Sequence, residues 1–178
     1  MYNYDIALSY ATEDREIADK VYHYLRAEKM NVFFAPAPEA QTILSGRNQR
    51  EIFYQIFGLE AEYVALLVSQ AYVAKEVPME EASIAISKHK EDGKVIPIYL
   101  DGTPLPEALW NSHDMNYFCS ANAAEIATHL SNRIKLSRQP LLESMETAAS
   151  KNSINAHGNT GTVQFFINEH NIHNTGGD

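Results

Sequence analysis

Two adjacent carboxylates, Glu80 and Glu81, stand at the predicted start of a helix that follows the apolar run Tyr63-Val64-Ala65-Leu66-Leu67-Val68. A carboxylate fixed there can accept hydrogen bonds from a ligand's hydroxyls and favour positive charge as it grows on a reacting carbon. The positive end of the helix macrodipole is expected to keep it ionised. On spacing alone both residues are equally well ordinary helix-start charges. Ser9 and Tyr10 close a second apolar run, Tyr4-Asp5-Ile6-Ala7-Leu8, and offer a hydroxyl and an aromatic face to a polar ligand; a satisfied strand end has the same composition.

Other chemistry-bearing residues point away from a site. Cys119 is the single cysteine, which excludes an internal disulfide and a multi-cysteine zinc site. Its neighbours Phe118 and Ser120 give it no activating partner, so buried packing is expected. His157, His170 and His173 lie in a polar stretch with no carboxylate shell, and no metal site is expected. Gly158-Asn159-Thr160-Gly161 follows no strand-to-helix unit of the kind that cradles phosphate.

The elements that position these residues alternate. Strands are expected at residues 4–10, 31–34, 63–68, 94–100 and 115–118. Thr12, followed by Glu13, Asp14 and Glu16, predicts a side-chain-capped helix running to about Lys29. Two prolines, Pro36 and Pro38, predict a loop of about ten residues after the second strand. Helices are further expected from beyond Gly46 to near Gly58, from about Pro78 to Lys90, and from Ala123 to Ile134. Pro97 places the fourth strand near an edge or a bulge. Connections too long for hairpins imply a flavodoxin-like α/β sandwich with a five-stranded parallel sheet in the order 2-1-3-4-5. Ligands of such sheets bind beyond the carboxyl ends of the strands at the switch point, here between strands one and three. The domain is expected to span 1–136. A polar tail, 137–178, would carry a short helix at Leu141–Ala149 and a strand at Thr162–Ile167, partly flexible or partner-binding.

The 178 residues are 45% hydrophobic, enough for a core, and 23 acidic against 14 basic residues give a net charge of −9. That field repels nucleic acid and anionic membranes, and neither is expected as a partner. No run approaches the roughly 20 apolar residues of a membrane span, and the first residues lack signal-peptide character, so a cytoplasmic location is expected.

Three segments together resemble the Toll/interleukin-1 receptor (TIR) family in its bacterial form. They are Tyr4 to Tyr10 with Ala11-Thr12-Glu13-Asp14; Val32-Phe33-Phe34 leading into a proline-bearing loop with Ser45-Gly46-Arg47-Asn48; and Tyr63 to Val68 with Ser69-Gln70-Ala71-Tyr72. The stretch from Lys94 to Pro106 extends the likeness, which covers about residues 4–135. The resemblance implies an NAD⁺ glycohydrolase releasing nicotinamide and ADP-ribose or a cyclic ADP-ribose signal, acting in antiphage defence, with NAD⁺ as substrate and no separate cofactor. Aligned on Ser69 and Tyr72, the essential glutamate of active members falls on Glu81, with Glu80 the competing register. Val77 takes the place of a tryptophan four residues earlier. Ala11 and Ala35 stand where several members carry a charge, for which Glu39 or Arg47 would compensate. Substrate contacts are implied for Ser9, Tyr10, Phe34 (also a core candidate), Ser45, Gly46 as a loop hinge, Arg47 and Val77. The resemblance also implies a homo-oligomer built on TIR–TIR contacts and an effector protein that senses the product. The alternatives are a non-catalytic TIR scaffold, favoured by Val77 and Ala35, and a nucleoside-processing transferase of similar architecture.

Overall fold

The structure, a computed structural model, describes residues 2–111 and 117–156, with side chains through residue 139. The tail histidines, the glycine-bearing segment 158–161, the expected strand at 162–167 and the first residues of the expected fifth strand lie outside the described residues.

Five strands form one parallel sheet: β1 (Tyr4–Tyr10), β2 (Val32–Phe33), β3 (Ala61–Val68), β4 (Val95–Tyr99) and β5 (Phe118–Cys119), in the order β2-β1-β3-β4-β5. β3 sits at the centre because its apolar run tolerates cover on both faces, and six consecutive residues, Tyr63–Val68, are buried. Each large apolar side chain removed from water, such as Leu66 or Phe33, stabilises the fold by about 1.5–3 kcal/mol. The β1–β3 register, Ser9 opposite Leu66 and Tyr10 opposite Leu67, brings the two strands to a common carboxyl end. β4 pairs with β3 along its length, whereas β5 pairs only with Ile98 and Tyr99, so Pro97 lies just outside the β5 ladder.

Several local expectations are corrected. Thr12 caps nothing: Thr12–Asp14 is a 3-10 turn, α1 (Arg15–Ala27) follows it, and neither start has a side-chain cap. The Asp14 carboxylate instead accepts a hydrogen bond from the Ser69 hydroxyl, a tertiary partner invisible to local pattern. The segment after β2 is not all loop but holds α2 (Pro38–Leu44), with Pro38 in the first turn, where its missing N–H costs nothing and its fixed φ suits the helix. The next helix divides into α3 (Gln49–Gln55), capped by Asn48, and a π-helical turn at Ile56–Glu60. Gly58 in that turn packs so closely on the helix at residues 76–89 that a Cβ there would stand 3.3 Å from Ile84 Cγ2.

Beyond β3 lie α4 (Gln70–Val73), capped by Ser69, and α5 (Glu76–His89). Pro78 falls in the first turn of α5, among amides that have no intrahelical acceptor, so the helix begins two residues before it. The last helix, α6 (Ala123–Ala156), continues beyond the expected end at Ile134 and takes in 141–149. Cys119 is exposed rather than buried, because β5 is a two-residue edge strand and only its neighbour Phe118 turns inward, stacking on His129 at 4.1 Å.

The chain divides into two compact units, Met1–Arg138 and Gln139–Asp178. The first closes on itself at its end: the Tyr63 hydroxyl meets Ser137 Oγ, and the Arg138 guanidinium pairs with Asp5 and Glu62.

Candidate active site

The carboxyl end of β1, the π turn and the helices α1, α2, α3 and α5 surround a cleft of about 490 Å³. Leu8, Ile52, Phe53 and Phe57 make part of its wall apolar. Glu81 from α5 is the single carboxylate among the lining residues, while Arg15 from α1 and Arg47 from the α2–α3 link bring two cations. In a chain of net charge −9 this local balance is inverted, which suits an anionic ligand that also carries a positive or polar centre.

Glu81 is 8% exposed and accepts a 2.6 Å hydrogen bond at Oε2 from the Ser9 hydroxyl. Ser9 is fully buried and its Oγ also lies 2.6 Å from the Tyr72 hydroxyl, itself fully buried. Burial pushes the Glu81 carboxyl up to about 8; the Ser9 hydrogen bond opposes the rise and the charge of Glu80 adds to it. The expected macrodipole effect does not govern this group. Glu81 is the sixth residue of α5, beyond the first turn in which the dipole acts, and desolvation dominates. Tyr10, half-buried beside the cleft, is pushed up to about 12, chiefly by burial, with Arg15 opposing the rise.

The residues singled out by sequence separate into groups. Glu81, Tyr10, Arg47 and Val77 line the cleft, Val77 with 41% of its surface exposed. Glu80 does not line it: its carboxylate is paired with Arg50 of α3, Nε to Oε1, at 3.2 Å. Ser9 reaches the site only through Glu81. Phe34 is a core residue, stacked on Tyr22 at 4.9 Å and tilted against Tyr10 at 5.5 Å. Ser45 and Gly46 are exposed outside the cleft lining, Gly46 with φ +75°, a left-handed conformation natural to glycine. Glu39 lies by Tyr4 and Tyr22 in a separate depression, so only Arg47 supplies the compensating charge.

Sequence reasoning missed two residues. Arg15 was legible only as the one cation among the acidic residues Glu13, Asp14 and Glu16. Tyr72 stood in a recognised segment, but its hydroxyl contact with Ser9 spans 63 positions and leaves no local trace. Among the described residues no three potential metal ligands gather.

A parallel 2-1-3-4-5 sheet with a carboxylate-bearing cleft beyond the carboxyl end of β1 defines a flavodoxin-like α/β protein. Within that class the chain belongs to the TIR domain family, whose model matches residues 6–133. It is 29% identical over 136 residues to the 3′ cyclic ADP-D-ribose synthase AaTIR of Aquimarina amphilecti; the match covers 75% of this chain and 41% of that protein, so this chain spans well under two thirds of the relative's length. The fold is shared with the TIR domain of the Toll-related receptor TRR-2 of Hydra magnipapillata, at TM-score 0.59 and 17% identity, covering 74% of this chain and 98% of the receptor domain. It is shared also with a TIR-STING receptor of C. gigas, at TM-score 0.56 and 20% identity, covering 73% of this chain and 41% of the receptor.

Proposed function

We propose that this chain cleaves the bond between nicotinamide and ribose in NAD⁺, with Glu81 as the essential carboxylate. The observation that carries the reading is the placement of Glu81 as the lone carboxylate of a cleft that also holds two arginines. The bond breaks with both electrons passing to nicotinamide, which leaves neutral and needs no acid catalyst. The ribose carbon becomes oxocarbenium-like, and a carboxylate held beside it is worth most as that charge appears. Water captures the carbon to give ADP-ribose and a proton, or a hydroxyl of the same molecule captures it, likewise releasing its proton, to give a cyclic product. Arg15 and Arg47 are suited to the diphosphate, and the ring of Tyr10 to nicotinamide or ribose. Substrate contacts by Ser45, Gly46 and Phe34 have less support, since none of the three lines the cleft.

The free enzyme holds its Glu81 proton to about pH 8. A cationic nicotinamide ring nearby favours the ionised form, so binding and ionisation are linked. The resemblance to the cyclic ADP-ribose synthase makes a cyclic product, read by an effector protein in cytoplasmic antiphage defence, part of this proposal. Assembly of copies through their TIR domains belongs to it too. Val77, exposed in place of tryptophan, leaves room on the cleft wall that a second copy would cover.

The test is incubation of concentrated protein with NAD⁺ while nicotinamide, ADP-ribose and cyclic products are followed. Turnover that disappears in Glu81→Gln, with circular dichroism unchanged, supports the assignment. Turnover that persists in that variant refutes the role of Glu81. A folded, assembled protein without turnover favours the second reading, a TIR scaffold, to which the absent tryptophan also points.

A further inference from the structure

The hydroxyls of Tyr72 and Ser9 form a closed line to Glu81 whose direction follows from counting protons. Tyr72 has one hydroxyl proton and no exposure to water, and Ser9 Oγ is its hydrogen-bond partner among the described residues. To avoid stranding a buried donor, the Tyr72 proton must point at Ser9. Ser9, also fully buried, then has its own single proton free to point at Glu81 Oε2. The opposite order, with Oε2 protonated and donating to Ser9, strands one buried proton either way: the Ser9 proton turns to Tyr72 and leaves the tyrosine's without an acceptor, or Ser9 accepts from both neighbours and its own proton has none.

We infer that Tyr72, acting through Ser9, is a positioning residue that keeps Glu81 Oε2 a permanent hydrogen-bond acceptor, so that Oε1 is the oxygen that gains and loses the proton. This deepens the proposed function and rests on it only for its consequence in catalysis. A carboxylate with one oxygen locked as acceptor has a fixed rotamer and one exchangeable oxygen, which suits a group that must be ionised when substrate arrives. Other charged and titratable groups surround Glu81. They are Tyr10 on β1, Glu80 on α5 itself with its partner Arg50 on α3, and Arg15 and Arg47 across the cleft; the π turn contributes the apolar Phe57. None of these touches Oε2, so Tyr72 and Ser9 are separable from them by substitution.

The test is a carbon-13 NMR titration of glutamate carboxyls in the full chain, with the Glu81 signal assigned by its loss in Glu81→Gln. Tyr72→Phe keeps the ring and its packing and removes only the hydroxyl. The expected result is a rise of the Glu81 midpoint by about one pH unit, as befits losing one buried donor network. Ser9→Ala should raise it at least as far, and the double variant should match Ser9→Ala alone. Midpoints unchanged in both single variants overturn the inference, and additive shifts overturn the route through Ser9. Should Tyr72→Phe fail to fold, Ser9→Ala decides alone: an unchanged midpoint there overturns the proposal. Where NAD⁺ is cleaved, the acid limb of kcat/KM moves with the NMR midpoint, which lost packing alone would not produce. A titration that shifts in a protein without turnover supports the network and refutes the enzymatic reading.

Discussion

At the scale of single residues, the pair Glu80 and Glu81 shows how neighbours with one charge acquire different chemistry. Glu80 is paired with Arg50, while Glu81 is buried and held by Ser9. The folded protein keeps the Glu81 proton between the ordinary carboxyl value of 4.5 and about 8, whereas the unfolded chain has already lost it. Stability therefore falls as pH rises through that window, by up to about 1.4 kcal/mol per unit, and levels off above it. Glu81→Gln removes the effect, so its stability gain over the parent should grow from pH 4.5 to 8 in urea unfolding curves. Activity runs the other way. In the proposed cleavage the ionised carboxylate is the working form, so kcat/KM for NAD⁺ should climb nearly tenfold per pH unit below the midpoint and flatten near pH 8. Arg15→Ala should raise KM for NAD⁺ about tenfold with little change in kcat, and leave cleavage of phosphate-free nicotinamide riboside unaffected. The place of Glu81 in the cleft was legible because the resemblance, aligned on Ser69 and Tyr72, pointed to it. The residue's neutral resting state was not, since the burial that causes it arises from tertiary packing and leaves no local pattern.

At the scale of elements, most of the sheet was legible because its strands are short apolar runs separated by helical periodicity. β3 and β4 needed no tertiary information. The failures fall where a side chain has two possible partners or a proline two possible roles. Thr12 and Asp14 had the composition of a cap, yet Asp14 binds Ser69 and the chain starts with a 3-10 turn. Pro38 was equally a loop breaker and a first-turn residue, and the helix it opens, α2, carries Leu44 to the cleft. Gly46 joins α2 to the Asn48 cap of α3 at φ +75°, with open space where a Cβ would stand. Gly46→Ala should therefore cost about 1 kcal/mol from backbone strain alone, measurable as a lowered Tm. Because Arg47 follows directly, KM for NAD⁺ should rise in the same variant.

At the scale of the whole molecule, the boundary between compact units lies after Arg138, two residues beyond the one suggested by the change of composition. Composition could not reveal it, because Ser137 and Arg138 belong by sequence to the polar tail and by contact to Tyr63, Asp5 and Glu62. A chain ending at 139 should unfold at the denaturant midpoint of the parent. One ending at 136 should lose about 1–2 kcal/mol, a figure that allows for the partial exposure of Arg138. The sheet itself restricts how copies of the chain can join. Both of its outer strands, β2 and β5, are two residues long among the described residues, too short to template another strand. Among the described residues, the proposed assembly would then grow through helix faces and loops, so its geometry could be altered by surface substitution without touching the backbone hydrogen bonds that hold each copy together.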